Sequence, residues 1–159
     1  MYKRQFYYSL SLTSVTIPDS VTHISQKAFS CCFQLTSITL PSGLTAIESG
    51  TFDLCKSLTT IDIPDSVAAI ADDAFIGCKA LQSFTLSPNH PYFFLADDAL
   101  CRTADSTLLL YPNAREPRTY RIPDGITAIS AYAFYDCDLL ESVVVPDSVT
   151  QLPARAFSG

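Results

Sequence analysis

Charge is scarce in this chain: Asp, Glu, Lys and Arg make up 16% of its 159 residues, against roughly a quarter in ordinary soluble proteins. Basic residues are the scarcer sign, ten Lys and Arg against sixteen Asp and Glu, for a net charge of −6 and a pI near 4.6. A phosphate backbone is bound by clustered Lys and Arg, so this balance argues against nucleic acid and against anionic membrane surfaces. Long apolar runs are missing too. Stretches such as Leu108 to Tyr111 fall far short of the ~20 residues that span a bilayer, so no membrane insertion is expected. The opening "MYKRQFYYSLSL" has basic residues and aromatics but neither a long apolar segment nor a small-residue cleavage site, and no signal peptide is read in this chain.

Three further absences bear on chemistry. The five glycines are dispersed singly, so no glycine-rich phosphate loop exists. Histidine occurs only at His23 and His90, and neither lies in a motif that would orient it beside a Ser or Cys nucleophile. No N-x-S/T sequon is present. The expectation is a protein that is not an enzyme and needs no cofactor.

What the chain does contain is Ser and Thr threaded through apolar runs, and a repeat. Pro18, Pro41, Pro64, Pro123 and Pro146 form one series; Phe6, Phe29, Phe52, Phe75, Phe134 and Phe157 form another. The Pro steps are 23, 23, 59 and 23 residues, and the Phe series shares that period and its 59-residue step, which is two repeats plus 13 inserted residues. Self-similarity at such a period is the signature of a solenoid. The consensus L-x-x-I-x-I-P-D-S-V-T-x-I-x-x-x-A-F-x-x-C places apolar residues at positions one, four and six, which predicts a short strand with its Ser and Thr on the opposite face. Proline then ends the strand and "PDS" or "PDG" turns the chain. Val21 and Ile24 re-enter the core. Ala28, Phe29, Cys32 and Leu35 fall at i, i+1, i+4 and i+7, which predicts a brief helical turn. No coil can bury its own apolar set, but stacked coils bury a shared one and pair their strands in parallel.

The boundaries follow: a partial repeat at 1–11, regular repeats at 12–34, 35–57 and 58–80, an enlarged repeat at 81–116, a regular repeat at 117–139 and a partial one at 140–159. The whole is read as a single domain. Within Ser87 to Pro112, Ala99 to Arg102 and Thr107 to Tyr111 are predicted hairpin strands around the turn "TADS". Ser87 where Pro is expected, and Pro117 where Leu is expected, mark the joints.

The motif "IPDSVTxIxxxAFxxC" resembles the BspA-like class of leucine-rich repeats found in bacterial and protozoan surface proteins. The resemblance implies a leucine-rich-repeat solenoid: a curved right-handed rod, a parallel β-sheet on one face with short helical turns opposite, a β-dominated α/β horseshoe with one hairpin insertion. It also implies secretion or surface attachment, and adhesins or antigens that bind host or matrix proteins.

Cys32, Cys55, Cys78 and Cys137 each stand three residues after the repeated Phe. Stacking would set them about 4.8 Å apart with parallel Cβ vectors, whereas a disulfide wants facing Cβ atoms about 3.8 Å apart. A row also cannot surround a metal tetrahedrally. They are expected to be buried thiols facing backbone groups. Cys31 and Cys101 lie off the row, either being a candidate exposed thiol. Asp19, Asp65, Asp124 and Asp147 after the repeated Pro read as turn formers, not calcium ligands. The Asp97 and Asp98 pair reads as a solvated loop.

The outward strand positions form the expected recognition face. Its first coils carry Thr and Ser almost alone. Asp62, Gln82, Arg118, Arg121 and Glu141 break that monotony and are the candidate ligand-binding residues, for a protein or glycan partner. Tyr92, Phe93 and Phe94 either join the arginines as a hot spot or lid the core, and the arginines either bind or pair with Glu116 or Glu141. The alternative function is a structural spacer with no ligand of its own. No polar cap is recognisable at either end, which suggests a piece of a longer array or end-to-end self-association through uncapped repeats.

Overall fold

In a computed structural model of the chain, residues 5–116 and 118–159 are described; the predicted joint at Pro117 lies outside them. The regular structure among these residues is twelve short strands. Six of them repeat along one face: β1 (Ser14–Thr16), β2 (Ser37–Thr39), β4 (Thr60–Asp62), β6 (Ser83–Thr85), β10 (Thr119–Arg121) and β12 (Ser142–Val144). Pairing is parallel with a shift of one repeat, so Val15 stands opposite Ile38, Ile61 opposite Phe84 and Tyr120 opposite Val143. The middle residue of each strand points inward and its neighbours outward, as a period of two requires. After five of these strands the repeated proline's carbonyl accepts the amide three residues on, as in Val21 to Pro18 and Val67 to Pro64, and after β6 the Ser87 carbonyl takes that role with the His90 amide. These bonds close the predicted turns.

A second parallel column lies past that turn. β3 (Ala46–Ile47) pairs with β5 (Ala69–Ile70), and β11 (Ala128–Ile129) pairs with β9 (Thr107–Leu110). The coils 35–57, 58–80 and 117–139 are each a strand, a proline turn, a shorter strand and a return.

The return is not helical, and that expectation is corrected: no helix occurs among the described residues. A helix needs every amide to bond within its own segment. Here alternate amides leave the coil. Ala28, Ser30 and Cys32 donate to carbonyls three residues back, while Lys27, Phe29 and Cys31 donate to Ser49, Thr51 and Asp53 of the next coil. The backbone is accordingly left-handed at Lys27 (φ 59°), Cys31 (φ 64°), Leu54 (φ 59°) and Gly77 (φ 71°), which no run of α-helix tolerates. Apolar spacing at i, i+4 and i+7 fits such a laddered turn as well as it fits a helix.

The phenylalanines stack as one file, with ring centroids 5.1 Å apart for Phe6–Phe29, 5.7 Å for Phe29–Phe52 and 5.3 Å for Phe52–Phe75. The enlarged repeat then interrupts everything. β6 and β10 belong to different sheets, as do β5 and β9, and Phe75 meets Phe84 edge-on. The file resumes at Tyr111, stacked 5.5 Å from Phe134. Tyr111 stands 23 residues before Phe134 and its amide donates to Ala133, as that of Phe52 does to Ala74, so it takes the phenylalanine position of its coil.

The insertion is a four-stranded sheet ordered β11-β9-β8-β7, with β8 (Ala99–Arg102) as predicted and a further strand, β7 (Phe93–Ala96), unanticipated. Asp97 and Asp98 form the two-residue turn joining β7 to β8, both with positive φ, the geometry of a type I′ hairpin. β8 and β9 are almost wholly buried. Phe93, Leu100, Leu109 and Leu110 enter the core of the preceding coils; Ala96, Ala99, Cys101, Leu108 and Tyr111 enter that of the following ones. One small sheet thus serves as the shared wall of two cores.

Candidate binding face

The predicted recognition residues lie on exposed ground, and the structure divides them into two groups. Just before β10 and β12, Arg118 donates from Nη1 to Glu141 Oε1 at 2.7 Å, while the Glu141 amide donates to the Arg118 carbonyl. Both side chains remain more than 60% exposed. Arg121 stands opposite Val144 in register and reaches Asp124 at 3.7 Å. On the other side of the break, Asp62 accepts the Thr85 hydroxyl at 2.6 Å, and Gln82 is exposed with its amide donating to Thr59. No hydrogen bond is found between the two groups among the described residues. Hydroxyls elsewhere on the face hold one another or the backbone: Thr36 Oγ1 donates to the Thr13 carbonyl and Ser83 to Thr60.

The insertion's aromatics split as well. Phe93 is buried and packs on His90, the lid role; Tyr92, Phe94 and Leu95 are exposed. His90 is buried and spent. Its Nδ1 accepts the amides of Tyr92 and Phe93, which places the ring proton on Nε2, 3.0 Å from the Pro64 carbonyl. His23 is exposed.

All six cysteines are free. Cys32, Cys55 and Cys78 donate to the carbonyls of Phe6, Phe29 and Phe52 at 3.1 to 3.2 Å, a thiol ladder one coil out of step with the rings. Burial pushes the Cys55 and Cys78 thiols far above their ordinary range and Cys137 up to about 12. Cys31 and Cys101 are buried, correcting their candidacy as exposed thiols. Cys31 takes the left-handed position that Gly77 holds two coils on, with its thiol 3.6 Å from the Ser30 hydroxyl, and Cys101 points from β8 into the second core. No set of three His, Cys, Asp or Glu among the described residues is placed to hold a metal, and no helix there is long and apolar enough to cross a membrane.

Sequence reasoning overlooked Arg115, which donates to Asp98 at 2.9 Å and to the Tyr111 hydroxyl at 3.4 Å, fastening the hairpin turn to the end of its own coil. No spacing announced it, because the insertion has no second copy to compare.

The BspA-type leucine-rich repeat region matches residues 1–96 and 112–159 in six copies. Among solved structures, a leucine-rich cell surface protein of Faecalibacterium prausnitzii is 29% identical with a TM-score of 0.80, and a leucine-rich repeat protein of Eubacterium ventriosum is 25% identical with a TM-score of 0.83. Each alignment covers 97% of this chain and 47% of the other. The pneumococcal vaccine antigen PcpA, 20% identical over 87% of this chain and 40% of its own, shares the fold with a TM-score of 0.74. This chain therefore spans less than half the length of each. No curated protein matches it. With the motif recurring along the chain and its coils stacked in register, the chain belongs to the BspA-type leucine-rich-repeat family.

Proposed function

We propose that the chain is a non-enzymatic binding module of a surface or secreted protein, contacting a protein or glycan through the face of β1, β2, β4, β6, β10 and β12. The observation that carries this reading is the Arg118, Glu141 and Arg121 group. These charges stand on a face otherwise nearly bare of them, and both arginines are over 60% exposed. Exposed pairs contribute little to stability, so the fold gives no reason for their presence. The description of the F. prausnitzii relative as a cell surface protein supports the location.

The spacer reading has its own support, since Arg118 already has a partner and the hydroxyls satisfy one another. Arrays of extracellular matrix proteins and glycans, probed with the chain and with its Arg118→Glu, Arg121→Glu double variant, separate the two. Loss of capture in a variant with unchanged circular dichroism supports the module. Equal capture, or none by either protein, leaves the spacer.

A further inference from the structure

Between Leu10 and Leu139, the large apolar side chains left exposed among the described residues are Tyr92, Phe94 and Leu95, at 36% to 44%. All three belong to β7 or the residue before it. Apolar residues scattered singly on a surface need no explanation, but a cluster of them marks a site of interaction. This cluster lies within the array and within the one segment that has no second copy in the chain.

The backbone beneath the cluster is open as well. β7 is the outer strand of the sheet β11-β9-β8-β7, and no strand among the described residues pairs its other side. The Thr103 amide donates to the Tyr92 carbonyl, and bonded pairs alternate along an antiparallel ladder. With Phe94 opposite Cys101 and Leu95 opposite Leu100, Phe94 and Ala96 bond to β8, while the Leu95 amide and the Phe93 and Leu95 carbonyls turn to the outer edge. Natural sheets guard such edges with Lys, Pro or a bulge. β7 reads Phe-Phe-Leu-Ala, and its register with β8 runs without a shift. The edge is also held in place: His90 fastens the amides at its start, Arg115 binds Asp98 in the turn behind it, and Tyr120 bonds the Ala96 carbonyl. An edge so preorganised takes up an extended peptide at low ordering cost.

Charge selects the occupant. Asp98 is already paired with Arg115, but Asp97 beside it is exposed and makes no ion pair among the described residues. The chain carries a net charge of −6, which repels a second copy and attracts a basic segment.

We propose that the outer edge of β7 is a docking site, separate from the six-strand face, for an extended segment of another protein. The segment pairs with the Leu95 backbone, sets apolar side chains against Phe94 and Leu95, and brings Lys or Arg to Asp97.

The probe is a library of random nonapeptides displayed on phage and selected on the chain. Selected peptides are expected to carry apolar residues at alternate positions and a Lys or Arg near one end. Synthetic copies should shift the amides of residues 93–97 in the isotope-labelled chain. Binding should fall at least about ten-fold in Leu95→Pro, which removes an outward amide and no bond to β8. It should fall up to about five-fold in Asp97→Asn, the effect of one exposed ion pair. Phe94→Lys, which leaves the backbone intact and adds an edge guard, gives the same reading should Leu95→Pro fail to fold. No enrichment, an acidic consensus, shifts centred elsewhere, or equal binding by the variants overturns the proposal. So does dimerisation of the free chain that Phe94→Lys abolishes, since the occupant is then a second copy.

Discussion

Tyr120 donates its phenolic proton to the carbonyl of Ala96 at 2.7 Å, with both residues buried. The strand that restarts the array is thereby tied to the hairpin that interrupts it, at a break where β6 and β10, and β5 and β9, belong to different sheets. Burial pushes the Tyr120 hydroxyl well above its ordinary ionisation range. Tyr120→Phe keeps the ring against Tyr111 and Phe134 but leaves that carbonyl one donor short. A loss of about 1–2 kcal/mol is expected, read as a fall of roughly 2–8 °C in melting temperature for a domain of this size.

The buried thiols predict alkaline fragility. In Cys55, Cys78, Cys101 and Cys137, burial holds the folded thiols above the ordinary value of 9.0, for Cys101 and Cys137 at about 12. A raised folded pKa means that the contribution is fully present below pH 9, where both states keep the proton. It is lost as pH climbs toward 12, because the unfolded chain releases protons first. Each such group steepens the loss by up to about 1.4 kcal/mol per pH unit. Urea midpoints should be level from pH 7 to 8.5 and fall sharply above pH 9, with a shallower fall in Cys101→Ala. A midpoint that holds level through pH 11 would contradict the burial assigned to these thiols.

His90 clasps the start of the insertion to the previous coil. His90→Ala strips one acceptor from two amides and a partner from the Pro64 carbonyl, for an expected loss of about 2–3 kcal/mol. Asn in its place can accept from amides two and three residues on but is too short for Pro64, so His90→Asn should recover roughly half. Chemical denaturation of the two variants at neutral pH measures both steps. Equal losses would mean that the local amides matter little.

How far the sequence carried depends on whether a feature repeats. Phe29, Phe52, Phe75 and the cysteines behind them could be placed because three in-phase copies constrain one another, and stacking converts equal spacing into equal position. The Phe turn was misread as helical because side-chain spacing records which face is buried and not where the amides bond. Tyr111 was legible in principle, 23 residues before Phe134, but the 13 inserted residues ahead of it hid the phase when counted from Phe75. β7 and the Arg115 to Asp98 contact occur once and are set by the hairpin's docking. Arg118 and Glu141 share a repeat position, yet the sequence left open whether the arginines bind a ligand or pair with Glu116 or Glu141, and the structure pairs Arg118 with Glu141; the break between β6 and β10 that separates them from Asp62 lies at the insertion.

Arg102 and Asp105 make the remaining prediction, at the turn between β8 and β9. Two nitrogens of Arg102 reach both oxygens of Asp105, at 2.9 and 2.7 Å, and the carboxylate also accepts the Thr107 amide. The arginine, first, and Thr107 hold the Asp105 carboxyl down to about 2 from its ordinary 3.8. A lowered folded pKa stabilises above pH 4 and loses its effect as pH falls toward 2, because the unfolded carboxylate takes up its proton first. The side chain is half exposed, so solvent screening limits the effect to under about 1 kcal/mol. Asp105→Asn should therefore lower the urea midpoint slightly at pH 7, and the gap from the parent chain should close by pH 2. A gap that stays constant with pH would assign the loss to the turn's hydrogen bonds rather than to charge.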